Sequence, residues 1–220
     1  MSTLQRPPKK AAKSSAKRTK PRPSDPHPVG GKPGEIRIIG GAWKRTRLTV
    51  ASKPGLRPTP DRVRETLFNW LGQDLTGWRC VDVFAGTGVL GFEAASRGAA
   101  TVHLFEQDPA LVAQLKTTQT KLQATATQVQ RGDGVAALRQ LAAGSLDLVF
   151  LDPPFESGLY EPSMGAAAKA VQANGFVYME APAKWTDELL APLGLRVHRY
   201  LKAGAVHAHL LQLLTAAEAP

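Results

Sequence analysis

The tetrapeptide Asp152-Pro153-Pro154-Phe155 combines groups that suit chemistry on a flat amino group. It follows the apolar run 146–151, which is typical of a buried parallel strand, and open α/β sheets bind ligands beyond the carboxyl ends of such strands. Asp152 and the Pro153 carbonyl accept hydrogen bonds, while Phe155 offers an aromatic face. The tetrapeptide therefore predicts a site that holds an NH2 group while a ring stacks on the attached base. The alternative is a strand-ending turn with a core phenylalanine.

A glycine-rich stretch at residues 86–91, Gly-Thr-Gly-Val-Leu-Gly, predicts a cofactor site. It follows one predicted strand and opens a helix, and Glu106 stands 20 positions after Gly86 at the end of the next strand. Glycines let a ligand approach the backbone, and the acid can accept hydrogen bonds from ribose hydroxyls. The pattern therefore fits NAD, and an NAD-dependent oxidoreductase is one interpretation. A glycine turn without a ligand is another.

The position of Asp82 favours S-adenosylmethionine over NAD. Asp82 lies inside the strand that precedes the glycines, where a carboxylate repels a pyrophosphate but suits a cationic amino-acid group. S-adenosylmethionine has that group and also a ribose for Glu106. Asp133 ends the third strand and is both a candidate acceptor for the adenine amine and a candidate N-cap, two compatible roles. The predicted cofactor-binding residues are Asp82, Phe84, Ala85, Gly86, Thr87, Gly88, Glu106 and Asp133.

Alternating strands and helices must position these residues. The apolar patterns predict strands at 79–84, 101–106, 127–131, 146–151 and 175–180. They predict helices at 88–97, 109–123, 134–142, 161–173 and 184–191. This alternation is typical of a mostly parallel sheet with right-handed crossovers. Residues 195–200 and 205–214 predict two final strands joined by a turn at Gly204.

A hairpin and a helix are predicted ahead of this alternation. Residues 36–39 and 43–50 flank Gly40-Gly41 and predict the hairpin. Thr59 is a candidate N-cap, with Pro60 at the first helical position. Basic residues crowd both elements and are candidate contacts for nucleic-acid phosphates, the alternative being a solvated surface. These candidate RNA-binding residues are Lys44, Arg45, Arg47, Arg57, Arg62 and Arg64.

The positive charge is concentrated at the N-terminus. The chain has 220 residues and a formal charge of +10; residues 1–34 hold nine Lys/Arg and one acid, hence +8. We expect this segment to be disordered and to contact a nucleic-acid backbone, or else to act as a solubilising extension. The single Cys80 excludes an internal disulfide, and no apolar stretch suits a signal peptide or a membrane span. These features fit a cytoplasmic protein.

No metal site is predicted. His207 and His209 share one face of a predicted strand, but the sequence shows no third ligand.

Three segments together resemble the bacterial 16S ribosomal RNA guanine-N2 methyltransferases of the RsmD type. They are residues 57–71 (RPTPDRVRETLFNWL), 82–88 (DVFAGTG) and 152–155 (DPPF). The DPPF motif is shared by many amino-group methyltransferases, whereas the run 57–71 is much more specific. The resemblance is strong over residues 35–160. Pro60 departs from the threonine that is more usual there, and we expect no loss of function because proline suits a helix start.

The resemblance implies a fold, a cofactor and a substrate. The fold would be α/β, a Rossmann-like class I methyltransferase with a mostly parallel seven-stranded sheet and helices on both faces. Residues 35–75 would form an N-terminal extension and 76–220 the core of one methyltransferase domain. S-adenosylmethionine would be the donor. The acceptor would be the N2 amine of one guanine in 16S rRNA, either naked or in an assembling small subunit. Apart from the resemblance, we expect the enzyme to be a monomer.

The resemblance also carries roles onto residues. Cofactor contacts fall to Asp82, Gly86, Gly88, Glu106 and Asp133, and contacts with the target amine to Asp152 and Phe155. Three alternatives stay open at this point: a DNA amino-methyltransferase, an NAD-dependent oxidoreductase and a non-catalytic RNA-binding module. A DNA enzyme would be expected to carry a separate target-recognition domain, for which the chain leaves no length.

Overall fold

A seven-stranded sheet forms the centre of the molecule because its strands carry apolar residues toward both faces. The computed structural model describes Met1 and residues 34–50, 59–155 and 157–215. The sheet strands are β3 (Arg79–Asp82), β4 (Thr101–Glu106), β5 (Thr127–Arg131), β6 (Leu146–Leu151), β7 (Val171–Ala181), β8 (Leu195–Ala203) and β9 (Val206–Leu213). Their order in the sheet is β5-β4-β3-β6-β7-β9-β8, and the pairs among β3 to β7 are parallel. The last two strands, β8 and β9, join the sheet antiparallel.

Helices cover both faces of this sheet. The helices are α1 (Asp61–Trp70), α2 (Val89–Ser96), α3 (Pro109–Leu122), α4 (Gly134–Gln140), α5 (Tyr160–Ala170) and α6 (Asp187–Leu190), followed by a 3₁₀ turn at Ala191–Leu193. Side chains alternate along β6, so Leu148 and Phe150 pack into one core with α1, α2 and α3. Val149 and Leu151 face the other core, which includes residues of α4, α5 and α6. The predicted fold class is confirmed.

The order of the strands creates a switch point between β3 and β6. The chain runs outward from β3 through β4 to β5, and then returns to β6 on the other side of β3. In such sheets ligands bind outside the carboxyl ends of the strands at the point where the order reverses. The glycine loop follows β3 and the DPPF tetrapeptide follows β6, so both predicted sites lie at this point.

The N-terminal extension folds as a short hairpin followed by α1. Strands β1 (Glu35–Arg37) and β2 (Arg47–Thr49) pair antiparallel, with Ile36 opposite Leu48. The predicted second strand was too long: residues 43–45 form a turn, and Arg45 takes a positive φ of 71°. Lys44 and Arg45 therefore lie at the tip of the hairpin, not along a strand.

The start of α1 also differs from the prediction. Pro60 is the N-cap residue with an extended ψ of 147°, and no side chain caps the helix. Thr59 does not cap it because its hydroxyl donates to Glu180 Oε1 instead, at 2.6 Å.

Two later boundaries moved as well. Helix α5 ends at Ala170, and β7 begins at Val171 rather than at 175 because Val171 pairs with Leu146. Strand β3 ends at Asp82, so the loop before α2 begins earlier than predicted. Helix α6 has only four residues.

The basic segment at the N-terminus falls almost wholly outside the described ranges, so its predicted disorder stays a prediction. Within those ranges no helix is both long and apolar enough to span a membrane. The same ranges contain no cluster of three or more potential metal ligands.

Candidate active site

Three carboxyl groups meet at the carboxyl ends of neighbouring strands. Asp82 is paired with Phe150 across β3 and β6, and Phe150 with Tyr178 across β6 and β7. Two residues further along, the same register sets Asp152 opposite Glu180. Since side chains alternate along strands, the carboxyl groups of Asp82, Asp152 and Glu180 lie on one face of the sheet.

Burial raises the pKa values of these three carboxyl groups. Asp82 is 2% exposed, and its pKa is raised to about 7, first by burial and then by the negative charges of Glu106 and Glu180. The pKa of Asp152 is raised well above its usual value, again by burial first and then by Glu180 and Asp82. Like charges close together disfavour one another's ionised forms. A ligand that brings positive charge or N–H donors would relieve this conflict.

Glu180 was not predicted from the sequence. Its Oε1 accepts hydrogen bonds from Thr59 Oγ1 at 2.6 Å and from Tyr178 Oη at 2.9 Å. Burial raises the pKa of Glu180, while these two bonds and the nearby Arg64 charge act against that rise. The sequence does contain a feature that could have identified Glu180. It is the one acid in the apolar run Val-Tyr-Met-Glu-Ala, and a buried acid needs a hydrogen-bond or charge partner.

The DPPF tetrapeptide begins where β6 ends. Asp152 is half-buried and accepts no hydrogen bond from the described residues, whereas Pro153 is buried. The Pro154 carbonyl accepts from Ser157 N at 3.0 Å, which turns the chain after the motif. Phe155 is 43% exposed, so its ring is not a core residue. The predicted alternative of a core phenylalanine is therefore wrong.

The glycine loop is tied to the end of β4 through Glu106. Glu106 Oε2 accepts from Gly86 N and Oε1 from Asp108 N, both at 2.9 Å. Each carboxylate oxygen has a second lone pair, so Glu106 keeps acceptor capacity beside the loop. Gly86 and Gly88 take positive φ values of 52° and 76°, which residues other than glycine rarely adopt.

Close packing leaves no room for a side chain at Gly88 or at Gly134, where α4 begins. A Cβ on Gly88 would stand 2.4 Å from Leu115 Cδ2, and one on Gly134 only 2.1 Å from the Val83 carbonyl oxygen. The Asp82 carboxylate faces α2, where Oδ2 accepts from Gly91 N at 3.2 Å.

The remaining loop residues line the same turn. Ala85 N donates to Phe105 O at 2.8 Å, which joins the loop to β4. Phe84 is half-buried and Thr87 is buried. The structure thus brings all predicted residues of this loop together with Glu106.

Asp133 lies at the end of β5 and caps α4. Its Oδ1 accepts from Val135 N at 2.9 Å and from Ala136 N at 3.1 Å. The side chain is exposed, and Oδ2 accepts none of the hydrogen bonds among the described residues. The predicted N-cap is confirmed, and contact with a ligand stays a prediction.

Tyr160, which was also not predicted, belongs to this region. Its Oη is buried without a hydrogen-bond partner in the described part of the chain. Burial, together with the charges of Asp152 and Glu180, raises its pKa to about 12. A buried hydroxyl without a partner is costly, so Tyr160 is a polar group near the two acids whose hydrogen bond the described residues leave unmade.

Arg64 was wrongly predicted to hold phosphates. Its side chain is 0% exposed, and Nη1 donates to Glu93 Oε2 at 3.3 Å and to Arg37 O at 2.9 Å, while Nη2 pairs with Asp61. Burial lowers its pKa, and Asp61 and Glu93 act against that change. A basic residue in a helix pattern gives no sign of being buried, because the sequence does not show Glu93 as its partner.

The Glu93 carboxylate of α2 accepts hydrogen bonds from the N-terminal extension and from Arg97. Its Oε1 accepts from Gly40 N at 2.7 Å and from Arg97 Nη2 at 2.9 Å. Its Oε2 accepts from Ile39 N at 2.9 Å. With Arg64, this buried network fastens the hairpin and α1 to the sheet domain.

The other predicted RNA-binding residues that the structure describes lie at the surface. Lys44, Arg45, Arg47 and Arg62 are all exposed, although Arg47 Nη1 pairs with Glu35 at 3.0 Å. Arg57 lies outside the described residues. Lys44 lines a cleft of about 430 Å³ between the hairpin and the C-terminal end of α1. This cleft is at the end of α1 away from Thr59 and the carboxyl groups.

Sequence relatives share most of the chain. Residues 36–212 match the family model described as "Conserved hypothetical protein 95". Two relatives are named ribosomal RNA small subunit methyltransferase D. The one from Escherichia coli is 40% identical over 184 residues, which cover 81% of this chain and 90% of the relative. The one from Haemophilus influenzae is 39% identical and covers 70% and 86%.

Solved structures agree with this grouping. A putative methyltransferase from Escherichia coli is similar with a TM-score of 0.70 and 39% identity, covering 82% of this chain and 98% of that one. A putative methylase from Haemophilus influenzae gives 0.68 and 33%, covering 83% and 100%. The resemblance drawn from the sequence motifs is thereby confirmed, and the chain belongs to the family described as "Conserved hypothetical protein 95", together with the relatives named ribosomal RNA small subunit methyltransferase D.

Proposed function

We propose that this protein is a cytoplasmic enzyme that methylates small-subunit (16S) ribosomal RNA. The methyl group of S-adenosylmethionine would be transferred to the exocyclic N2 amine of one guanine, in naked rRNA or an assembling subunit. The protein would act as a monomer. The observation that carries the proposal is the position of Asp152 at the switch point, beside the glycine loop and the exposed Phe155 ring.

The amine-holding role rests on the acceptors after β6. The lone pair of a guanine amine is delocalised into the ring, which makes it a poor nucleophile. Asp152 and the Pro153 carbonyl accept hydrogen bonds and donate none when the acid is ionised. Both N–H bonds of the amine would be held in this way, and the reaction would depend mainly on alignment. Phe155, which is 43% exposed, would stack on the base.

The glycine loop fits S-adenosylmethionine by its donor set. Asp82, with its pKa raised to about 7, would be stabilised as a carboxylate by the ammonium group of the ligand. Glu106, beside Gly86, would accept from ribose hydroxyls, and the Oδ2 atom of Asp133 from the adenine amine. When bound, S-adenosylmethionine supplies an electrophilic methyl group on a sulfonium. A pyrophosphate would meet Asp82 instead, which disfavours NAD.

Contact with RNA would use the surface cations of the extension. Lys44, Arg45, Arg47 and Arg62 belong to the hairpin and α1, and Arg57 precedes α1 in the sequence motif. Since phosphate contacts fix orientation and carry no sequence information, these residues would position the RNA while the carboxyl groups choose the base.

Undermethylated small-subunit rRNA from a deletion strain provides the test. We expect the purified protein to transfer labelled methyl groups from S-adenosylmethionine to this RNA, with the product mapped as N2-methylguanosine by nucleoside mass spectrometry. Asp152→Ala should slow single-turnover transfer by roughly 10²-fold or more, because the amine loses its alignment. Phe155→Ala should cost about 1–3 kcal/mol of RNA binding.

Donor affinity serves as the control, since neither substitution touches the glycine loop and calorimetry should give wild-type values for both variants. Transfer to duplex DNA but not to rRNA would point to a DNA enzyme. Tight NAD binding would revive the oxidoreductase, and RNA binding without turnover would leave a non-catalytic module. An Asp152→Ala variant that transfers at the wild-type rate would make the tetrapeptide a strand-ending turn.

A further inference from the structure

One oxygen of the Glu180 carboxyl group accepts hydrogen bonds from the protein, and the other accepts none from the described residues. The side chain is 3% exposed. Thr59 Oγ1 and Tyr178 Oη both donate to Oε1, at 2.6 and 2.9 Å. None of the hydrogen bonds among the described residues uses Oε2. Because two donors on one oxygen set the rotation of the carboxyl plane, the direction of Oε2 is also set.

The Glu180 carboxyl group neighbours Asp152. The last pair of β6 and β7 is Leu151 with Met179, so continuing this register by one residue brings Asp152 beside Glu180 on one face, and the charge of Glu180 raises the pKa of Asp152. The two acids therefore offer neighbouring acceptor positions. Two N–H donors side by side on a ligand would match them, and would stabilise both acids in their ionised forms.

Among the bases with an exocyclic amine, guanine alone has this donor pair. In guanine the ring nitrogen N1, beside the amine-bearing carbon, carries a hydrogen. In adenine and cytosine, one ring atom beside the amine-bearing carbon is a nitrogen without hydrogen and the other is a carbon. The amine of these bases therefore adjoins an acceptor and no second N–H donor. An unpaired acceptor facing a buried carboxylate is strongly disfavoured.

We propose that Glu180 selects guanine, with Oε2 accepting the N1–H of the base while Asp152 accepts from its N2 amine. This assignment rests on the function proposed above and names the residue that determines its substrate base. Thr59 and Tyr178 are positioning residues, because they hold the carboxyl group and do not touch the base.

Glu180→Gln should change which base is accepted rather than remove the site. The hydroxyls of Thr59 and Tyr178 need an acceptor, so the amide oxygen takes the Oε1 position and the NH2 group takes the Oε2 position. That NH2 group donates. It opposes the N1–H of guanine but pairs with 2-aminopurine, which has the same amine and an N1 without hydrogen.

The experiment uses the full-length protein and two RNAs. Once the methylated guanine is mapped, a small-subunit rRNA fragment is made with guanine or with 2-aminopurine at that position. Single-turnover transfer is measured for both RNAs. The emission of 2-aminopurine reports its unstacking on binding, independently of transfer. Glu188→Gln, a change at an exposed acid, is the matched control.

The wild type should prefer guanine by roughly tenfold or more, as expected for a well-placed polar contact to a base edge. Glu180→Gln should bring this ratio to about one or reverse it, and Glu188→Gln should keep the wild-type ratio. Equal loss on both RNAs in Glu180→Gln would show a purely structural role and overturn the assignment. If that variant does not fold, the wild type alone decides, since equal transfer to both RNAs also overturns it. No transfer to the guanine RNA by the wild type would overturn the proposed function itself.

Discussion

At the scale of single residues, the carboxyl groups at the switch point determine how the site responds to pH. The buried Asp82 has a pKa of about 7, well above the usual value for an aspartate. Its protonated form is therefore favoured in the folded protein. This group therefore stabilises the fold most at pH values below its unfolded pKa, and that contribution is lost as the pH rises through about 7.

Binding of S-adenosylmethionine should reverse this preference and release a proton. A cation beside Asp82 favours the carboxylate, so affinity should rise between about pH 5.5 and 7.5, by up to about tenfold per unit. Above about pH 8 the amino group of the ligand loses its charge and the gain should end. Calorimetry at several pH values, in buffers that differ in ionisation enthalpy, would count the protons released.

Asp82→Asn is the matched variant for this measurement, because it keeps the shape of the side chain and cannot ionise. Its affinity should be lower and nearly independent of pH below about 7.5. The same pH slope in wild type and variant would show that another group takes up the proton.

The sequence revealed most of the site because its residues come in short contiguous motifs. Asp152 and Phe155 lie within four positions, and Gly86 and Gly88 within three. Glu180 and Tyr160 were missed because they join the site through strand register and helix placement, which no local pattern shows. Arg64 was misassigned because its burial depends on Glu93, a residue 29 positions away.

At the scale of elements, the network around Glu93 attaches the extension to the sheet domain. Glu93 is 0% exposed and lies between Arg64 and Arg97, which are also buried. Removing one partner from a buried ion pair leaves charge without compensation. The free energy of this network therefore controls whether the hairpin and α1 stay docked.

Glu93→Gln should lower the free energy of unfolding by about 3–5 kcal/mol, since two guanidinium groups lose their charged partner. Urea denaturation followed by tryptophan fluorescence would measure it. Glu65→Gln, at an exposed position of α1, should change the free energy by less than about 0.5 kcal/mol. Equal midpoints for the two variants would contradict a stabilising role of the network.

The elements themselves were largely predictable because apolar runs alternate regularly with helical patterns after residue 76. The boundaries that failed depend on distant pairing. Residues 172–175 (Gln-Ala-Asn-Gly) have no strand character, yet β7 passes through them because Val171 and Phe176, on either side, pair with Leu146 and Leu148 of β6 across a register shift. Thr59 looked like a cap because the sequence did not show the competing acceptor, Glu180.

At the scale of the whole molecule, charge is divided unequally. Residues 1–34 carry +8 of the net +10. A basic segment of this kind adds affinity for nucleic acid without adding sequence preference.

Removal of residues 1–33 should therefore weaken rRNA binding and reduce its salt dependence. The slope of log affinity against log salt should shrink by about 0.7–0.9 for each phosphate that the shortened protein no longer neutralises. Filter binding across a salt series would measure the slope. A full-length variant with the nine Lys/Arg of this segment changed to Gln should behave like the truncation, and an unchanged slope in both would rule out binding of RNA by the segment.

The hydrogen bond from Thr59 to Glu180 joins residues 121 positions apart, so it cannot form until long after Thr59 has been synthesised. At roughly 5–20 residues per second, Glu180 is made about 6–24 seconds after Thr59. Glu93 follows Arg64 by only 29 positions, so the hairpin and α1 can dock while the chain is still growing, whereas Asp152 and Glu180 can meet only after β7 is made. An incomplete chain that ends before β7 would therefore carry the docked extension without Glu180, and the proposed selection of guanine would begin only after this strand is translated.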